Sequence, residues 1–238
     1  MKLLIDAGNS RVKWALHDAD AWRAEGWVEN EAIAELAQAW RDFPVSRVIA
    51  ASVAGPAVAA ALQAVAPCEV EWVRSEASRF GVRNHYHDPA EQGVDRWLAV
   101  LAAHERCRGD VIVACAGTAL TVESLTEDGD YLGGLIAPGF RLMLTSLAAG
   151  TAQLARPAGA VVDFPRGTED ALASGAMAAL AGAIERARDV LAQQTGRARP
   201  MVLLTGGDAR EIAPCLAAPL EIVDNLVLQG LLRVANAS

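Results

Sequence analysis

The residues with the clearest chemical potential lie close to the N-terminus, in Asp6-Ala7-Gly8-Asn9-Ser10-Arg11-Val12-Lys13. The apolar run Leu3-Leu4-Ile5 delivers an aspartate to the mouth of a small polar turn. Gly8 lets the backbone approach a ligand closely. The N–H groups of the turn, with the Asn9 and Ser10 side chains, can face phosphate oxygens, and Lys13 adds positive charge. Asp6 would then hold a hydrated Mg²⁺ rather than touch anionic phosphate directly. The same residues also read as an ordinary hairpin with Asp-x-Gly-Asn turn chemistry, in which Gly8 and Asn9 tolerate positive φ. No G-x-x-x-x-G-K-[ST] phosphate loop occurs in the chain.

A second small-residue turn, Ala116-Gly117-Thr118-Ala119, follows another apolar run and again offers a hydroxyl. Two such hairpins could grip the β- and γ-phosphates of ATP from both sides. The third motif is Gly93-Val94-Asp95-Arg96. Read as part of a helix, its glycine costs about 1 kcal/mol relative to alanine, and close approach of a ligand is one reason to keep it. Asp95 and Arg96 are adjacent, so on a helix they point about 100° apart and do not pair across a turn. An aspartate there can take a proton from a substrate hydroxyl, and an arginine can fork onto a carboxylate. Both also read as solvated surface charges. Gly133-Gly134 to Gly139 and Thr205-Gly206-Gly207-Asp208 are glycine pairs beside apolar runs, read either as plain turns or as backbone against which a nucleotide lies.

These motifs need elements to hold them. Residues 2–6, 11–17 and 22–28 read as three strands of a meander, followed by a helix over 31–40 with Ile33, Leu36 and Trp40 on one face. Strands over 47–53 and 69–73 flank a helix over 56–65, and 80–87 reads as a polar loop. Asp88-Pro89 carries the signals of a helix start, and the helix it opens would run through Val94, Trp97, Leu98 and Leu101. The pattern then begins again, with strands over 110–114, 119–125 and 131–136 and helices over 140–147 and 169–194, Thr168 capping the second. A strand over 201–204, a helix, a strand over 220–223 and a last helix follow. The chain therefore reads as two related α/β halves, 1–112 and 113–238, with a cleft between them.

Composition narrows the function classes. Hydrophobic residues make up 53% of the 238 and charged residues 21%, a globular balance. Lys plus Arg number 21 against 29 Asp plus Glu, and a net charge of −8 repels nucleic-acid backbones and anionic lipid. The N-terminal apolar run is too short for a signal peptide, and no stretch reaches membrane-spanning length, so a cytoplasmic protein is expected. Cys68, Cys107, Cys115 and Cys215 are far apart and read as buried reduced thiols, not as a zinc or disulfide set.

Taken together and in this order, the motifs resemble those of the type III pantothenate kinases, a family of the acetate-kinase, sugar-kinase and actin superfamily. The resemblance runs nearly end to end and implies an α/β fold of two ribonuclease-H-like (actin-like) domains with a central cleft, mixed sheets flanked by helices. It implies that Asp6 to Lys13 (Asp6, Ala7, Gly8, Asn9, Ser10, Arg11, Val12, Lys13), Thr118, Gly206 and Gly207 bind ATP. It implies that Tyr86, Gly93, Val94, Asp95, Arg96 and Thr168 bind pantothenate, with Asp95 as general base and Arg96 on the substrate carboxylate. The implied reaction is phosphorylation of pantothenate to 4′-phosphopantothenate, the first step of coenzyme A synthesis, by a homodimer using ATP-Mg and a monovalent cation, K⁺ or NH₄⁺. Many members place an aspartate ligand for that cation where this chain has Cys115, and a neutral thiol is a poor ligand for a hard ion. The same scaffold also allows a kinase for another small hydroxy acid or sugar, or a nucleotide-binding regulatory or accessory protein.

Overall fold

The computed structural model describes residues 1–19 and 21–237, and they fold as α/β with two compact units, Met1–Glu105 with Asn225–Ser238, and Arg106–Asp224.

The first unit carries a five-stranded mixed sheet ordered β3-β2-β1-β4-β5. β1 (Lys2–Ala7) pairs antiparallel with β2 (Arg11–Asp18), and β2 with β3 (Ala21–Glu29). β1 also pairs parallel with β4 (Arg47–Ser52), and β4 with β5 (Val70–Trp72). Leu3, Ile5 and Ala7 alternate onto one face and pack with Val12, Trp14 and Leu16 of β2. That core is closed by Ile33, Leu36 and Trp40 and by Leu62 of α2 (Pro56–Val65). The expected helix over 31–40 is a 3₁₀ segment, Asn30–Glu35, running into α1 (Leu36–Trp40), because Ala32 leaves helical φ/ψ.

Residues 80–87 are not all loop. β6 (Ser78–Arg79) and β7 (Val82–Asn84) form a hairpin turned by Phe80 and Gly81, at φ 52° and 83°. Positive φ at both central residues is the mark of a type I′ turn. Asp88 accepts a hydrogen bond from the Ala90 N–H, as its cap role predicts, but Pro89–Glu91 is one 3₁₀ turn that ends at an extended Gln92. α3 (Val94–Arg106) starts afresh after it. The last helix, α7 (Leu226–Asn236), lies against β1 and β4. It crosses α3 so closely that a Cβ on Gly230 would fall 2.2 Å from the Leu98 carbonyl oxygen. Arg233 adds a hydrogen bond to the Leu101 carbonyl at 2.5 Å. α3 is thus anchored as a rigid platform for the residues at its start.

In the second unit the strands run β12-β11-β8-β9-β10. β8 (Val111–Ala116), β9 (Ala119–Leu125) and β10 (Asp130–Pro138) form the antiparallel meander, while β11 (Met201–Thr205) and β12 (Leu220–Ile222) add parallel to β8. α4 (Phe140–Gly150) and the long α5 (Thr168–Thr195) cover this sheet, with Met177, Leu180, Ile184 and Leu191 buried against Ile112, Leu120 and Val202. Gly167, not Thr168, is the cap of α5, and no side chain caps it. α6 (Ala209–Ile212) is a single turn after β11. All four cysteines are free, and none is fully buried; Cys215 is exposed. Among the described residues no helix is long and apolar enough to cross a membrane.

Candidate active site

Asp6 lies near the end of β1, and Lys13 is its direct cross-strand partner on β2. Partners in register project from the same face of the sheet, here the face opposite Ile5 and Ala7. Asp95 sits in the first turn of α3, where its Oδ1 accepts the Arg96 N–H at 2.8 Å. Burial raises the Asp95 pKa, opposed by that N–H and by the Arg96 charge. Burial, then the charge of Asp95, push Asp6 up to about 7, with Lys13 pulling the other way. Two carboxylates that feel each other in a poorly hydrated niche form a site short of positive charge.

The Gly-x-Asp spacing has a steric reason. Gly93 is not inside the helix; its carbonyl accepts the N–H groups of Arg96 and Trp97 as α3 begins. A Cβ at Gly93 would lie 2.7 Å from Asp95 Oδ1, so the glycine leaves the space that the carboxylate fills.

Arg96 is buried, and its Nη1 donates to the Tyr86 hydroxyl at 2.8 Å. Its guanidinium stands 5.6 Å from the centre of the Tyr86 ring. The two residues expected to contact a carboxylated substrate are therefore side by side. Sequence reasoning missed what holds them. Asn84 Oδ1 accepts the Tyr86 N–H at 3.1 Å, while Asn84 Nδ2 donates to Gln92 Oε1 at 2.7 Å. Asn84 thus ties the segment bearing Tyr86 to the residue preceding Gly93. An asparagine three residues after a turn-forming Phe-Gly was the available signal.

The turn at Gly8 differs from the expected one. Neither Gly8 nor Asn9 adopts positive φ. The Gly8 N–H donates to the Arg11 carbonyl at 2.9 Å. A Cβ on Gly8 would meet that same oxygen at 3.4 Å, an ordinary contact, so the fold itself does not demand glycine. Ala7 and Val12 are buried in the core and present only backbone to a ligand. Arg11 turns onto the Trp27 ring, 4.5 Å from its centre, and reaches Glu29 at 3.3 Å.

In the second unit, two motifs converge on residues 116–118. Gly139 donates its N–H to the Thr118 carbonyl at 2.9 Å, and a Cβ on it would fall 2.0 Å from the Gly117 oxygen. Gly206, at φ 103°, packs on Ala116, where a Cβ would approach the carbonyl oxygen to 2.1 Å. The Asp208 N–H donates to the same Ala116 oxygen at 3.1 Å. Gly207 has open space beside it. Thr168 stands elsewhere in this unit, on a pocket of about 440 Å³ between α4 and α5, lined also by Met143, Leu147 and Leu172. A buried pair went unnoticed in the sequence: Glu123 accepts the Tyr131 hydroxyl at 2.6 Å, in space left by Gly134.

The family model for type III pantothenate kinases matches residues 2–189. The chain belongs to this family. It is 66% identical over 237 residues to the type III pantothenate kinase of Chromobacterium violaceum, covering 99% of this chain and all of the relative. It is 45% identical over 241 residues to the family member of Aromatoleum aromaticum, covering 99% and 98% of the two chains. Among solved structures, a candidate 2-dehydro-3-deoxygalactonokinase of Sinorhizobium meliloti superposes with a TM-score of 0.63 at 15% identity, over 100% of this chain and 99% of that one. A candidate Baf-family transcriptional activator of Campylobacter jejuni superposes at 0.61 with 18% identity, over 99% and 98%. At those identities the likeness is one of fold.

Proposed function

We propose that this chain phosphorylates pantothenate with ATP to give 4′-phosphopantothenate, the first step of coenzyme A synthesis. The observation that carries the reading is Asp95, with its raised pKa, beside the buried Arg96 at the start of α3, with Arg96 hydrogen-bonded to the half-buried Tyr86, in a member of the type III pantothenate kinase family. Arg96 and Tyr86 would take the substrate carboxylate, with Thr168 as a further contact and the backbone of Gly93 and Val94 lining the pocket. Asp95 would accept the proton of the primary hydroxyl as it attacks the γ-phosphorus. The Asp6–Lys13 turn, Thr118, Gly206 and Gly207 would bind ATP.

Two carboxylates with excess negative charge suit a hard divalent ion, so Asp6 fits Mg²⁺ held through water. Bound there, Mg²⁺ would neutralise charge on the β- and γ-phosphates. A K⁺ or NH₄⁺ ligand is not available in the same way. β8 ends in Ala114-Cys115-Ala116 and carries no carboxylate, so the residues present do not fit the family's monovalent cation. Turnover is expected to be indifferent to K⁺.

The proposed enzyme is a cytoplasmic homodimer. The second unit exposes Leu142, Leu147, Val161, Val162 and Phe164, the last 87% exposed, apolar side chains that a second copy would cover. Light scattering on the purified protein reads that state directly.

The test of the acceptor is a substrate panel with product mass determination. Pantothenate converted far faster than hexoses or other hydroxy acids supports the proposal. A hexose turned over faster contradicts it, and salt-dependent retention on DNA without turnover favours the regulatory reading.

A further inference from the structure

Asn30 begins the 3₁₀ segment after β3 and does something unusual for a residue at a strand end. Its Nδ2 donates to the Asn9 carbonyl at 2.9 Å and to the Gly8 carbonyl at 3.2 Å. Its own N–H donates to the Ser10 carbonyl at 3.3 Å. The orientation of the amide follows from chemistry, because the flipped form would press Oδ1 against two carbonyl oxygens. Oδ1 is buried and has no hydrogen-bond partner among the described residues, a cost that an apolar side chain would avoid.

A trans peptide is planar, with its C=O and N–H pointing in opposite directions. Fixing the Gly8 carbonyl therefore fixes the Asn9 N–H, and fixing the Asn9 carbonyl fixes the Ser10 N–H, both aimed away from Asn30. Two successive N–H groups turned to one side are the element of an anion-binding nest. The turn lacks the left-handed φ values that would lock a Gly-Asn hairpin from within. Its peptide planes are instead held from outside.

We propose that Asn30 is the positioning residue of the nucleotide-phosphate turn, setting the direction of the Asn9 and Ser10 N–H groups without touching the ligand. The inference rests on the assignment of that turn to ATP. Asn30→Asp keeps the shape but loses both donors and sets carboxylate oxygens against the two carbonyls; Asn30→Ala removes the contact; Asn30→Gln restores an amide on a longer arm.

The experiment is calorimetric binding of ATP-Mg to the full chain and its three variants, with KM for ATP and for pantothenate and the melting temperature measured alongside. The expected result is a Kd and KM for ATP at least about tenfold higher in Asn30→Asp and Asn30→Ala, partial recovery in Asn30→Gln, and KM for pantothenate and Tm close to the parent. ATP binding equal to the parent in the Asp and Ala variants overturns the proposal. So does a fall in Tm with both KM values rising together, which is the pattern of a merely structural asparagine. Should the parent bind ATP yet leave pantothenate untouched, the acceptor reading fails while a tenfold loss of ATP binding in Asn30→Asp still upholds the role of Asn30. A parent that binds no ATP overturns both.

Discussion

Asp6 and Asp95 combine opposite demands on stability and chemistry. From the ordinary carboxylate value of 3.8 up to about 7, the folded chain keeps a proton on Asp6 that the unfolded chain has released. Stability therefore falls as pH rises through that window and stays at the lower level above it. Asp6→Asn removes the ionisation. Its metal-free Tm should exceed the parent's at about pH 8 and converge with it at about pH 3, while ATP-Mg-dependent turnover is lost. An equal or lower Tm at the higher pH would contradict a cost for ionising Asp6 beside Asp95 in a poorly hydrated niche. Asp95→Asn keeps an oxygen for the Arg96 N–H, so the fold should survive with kcat reduced by about 10²- to 10⁴-fold. Wild-type turnover in that variant would remove Asp95 from the role of base. Gly8→Ala separates fold from ligand in the same manner. The backbone there has ordinary φ and room for a methyl, so Tm should hold or rise slightly while ATP affinity falls. Unchanged affinity would mean that no ligand approaches Gly8.

At the scale of elements, the second unit depends on one buried cation. The Arg188 side chain is fully buried on α5, donating to the Pro200 carbonyl at 2.7 Å, the Ala217 carbonyl at 2.6 Å and the Pro219 carbonyl. It secures the starts of β11 and β12, and β11 leads into Gly206 and Gly207. Arg188→Ala leaves three carbonyls without that donor and should cost about 3 kcal/mol or more, seen as a lowered denaturant midpoint. A midpoint equal to the parent's would show the arginine to be dispensable. Most strands and α2, α4 and α5 were legible, because alternation or helical spacing and the local propensity agreed over their length. The departures have causes that the spacing of apolar residues does not carry. Ala32 kinks a segment whose apolar spacing alone reads as a single helix. Gly93 looks helical until the carboxylate of Asp95 is placed beside it. Phe80 at positive φ defies its own preference, and Arg233 lies over its ring at 4.7 Å from a distant part of the chain. Asn30 and Arg188 work through carbonyls 21 and 29 residues away, which no local pattern announces, whereas Asn84 and Glu123 reach partners eight residues on.

For the whole molecule, the motifs that carried the resemblance sort into two groups. One is built on β1, β2 and α3, and the other on the ends of β8, β10 and β11. A net charge of −8 leaves Lys13 and Arg96 as local exceptions at the places where an anionic nucleotide and a carboxylate would sit. With Cys115 in place of a carboxylate, rates with and without K⁺ should agree within about twofold at equal ionic strength. A tenfold rise on adding K⁺ would place the ion on other oxygens. The central claim is tested most directly by coupled ADP release from ATP-Mg, with and without pantothenate. The account predicts release that depends on pantothenate and saturates with it. Release that ignores pantothenate, or no release at any concentration, would contradict it.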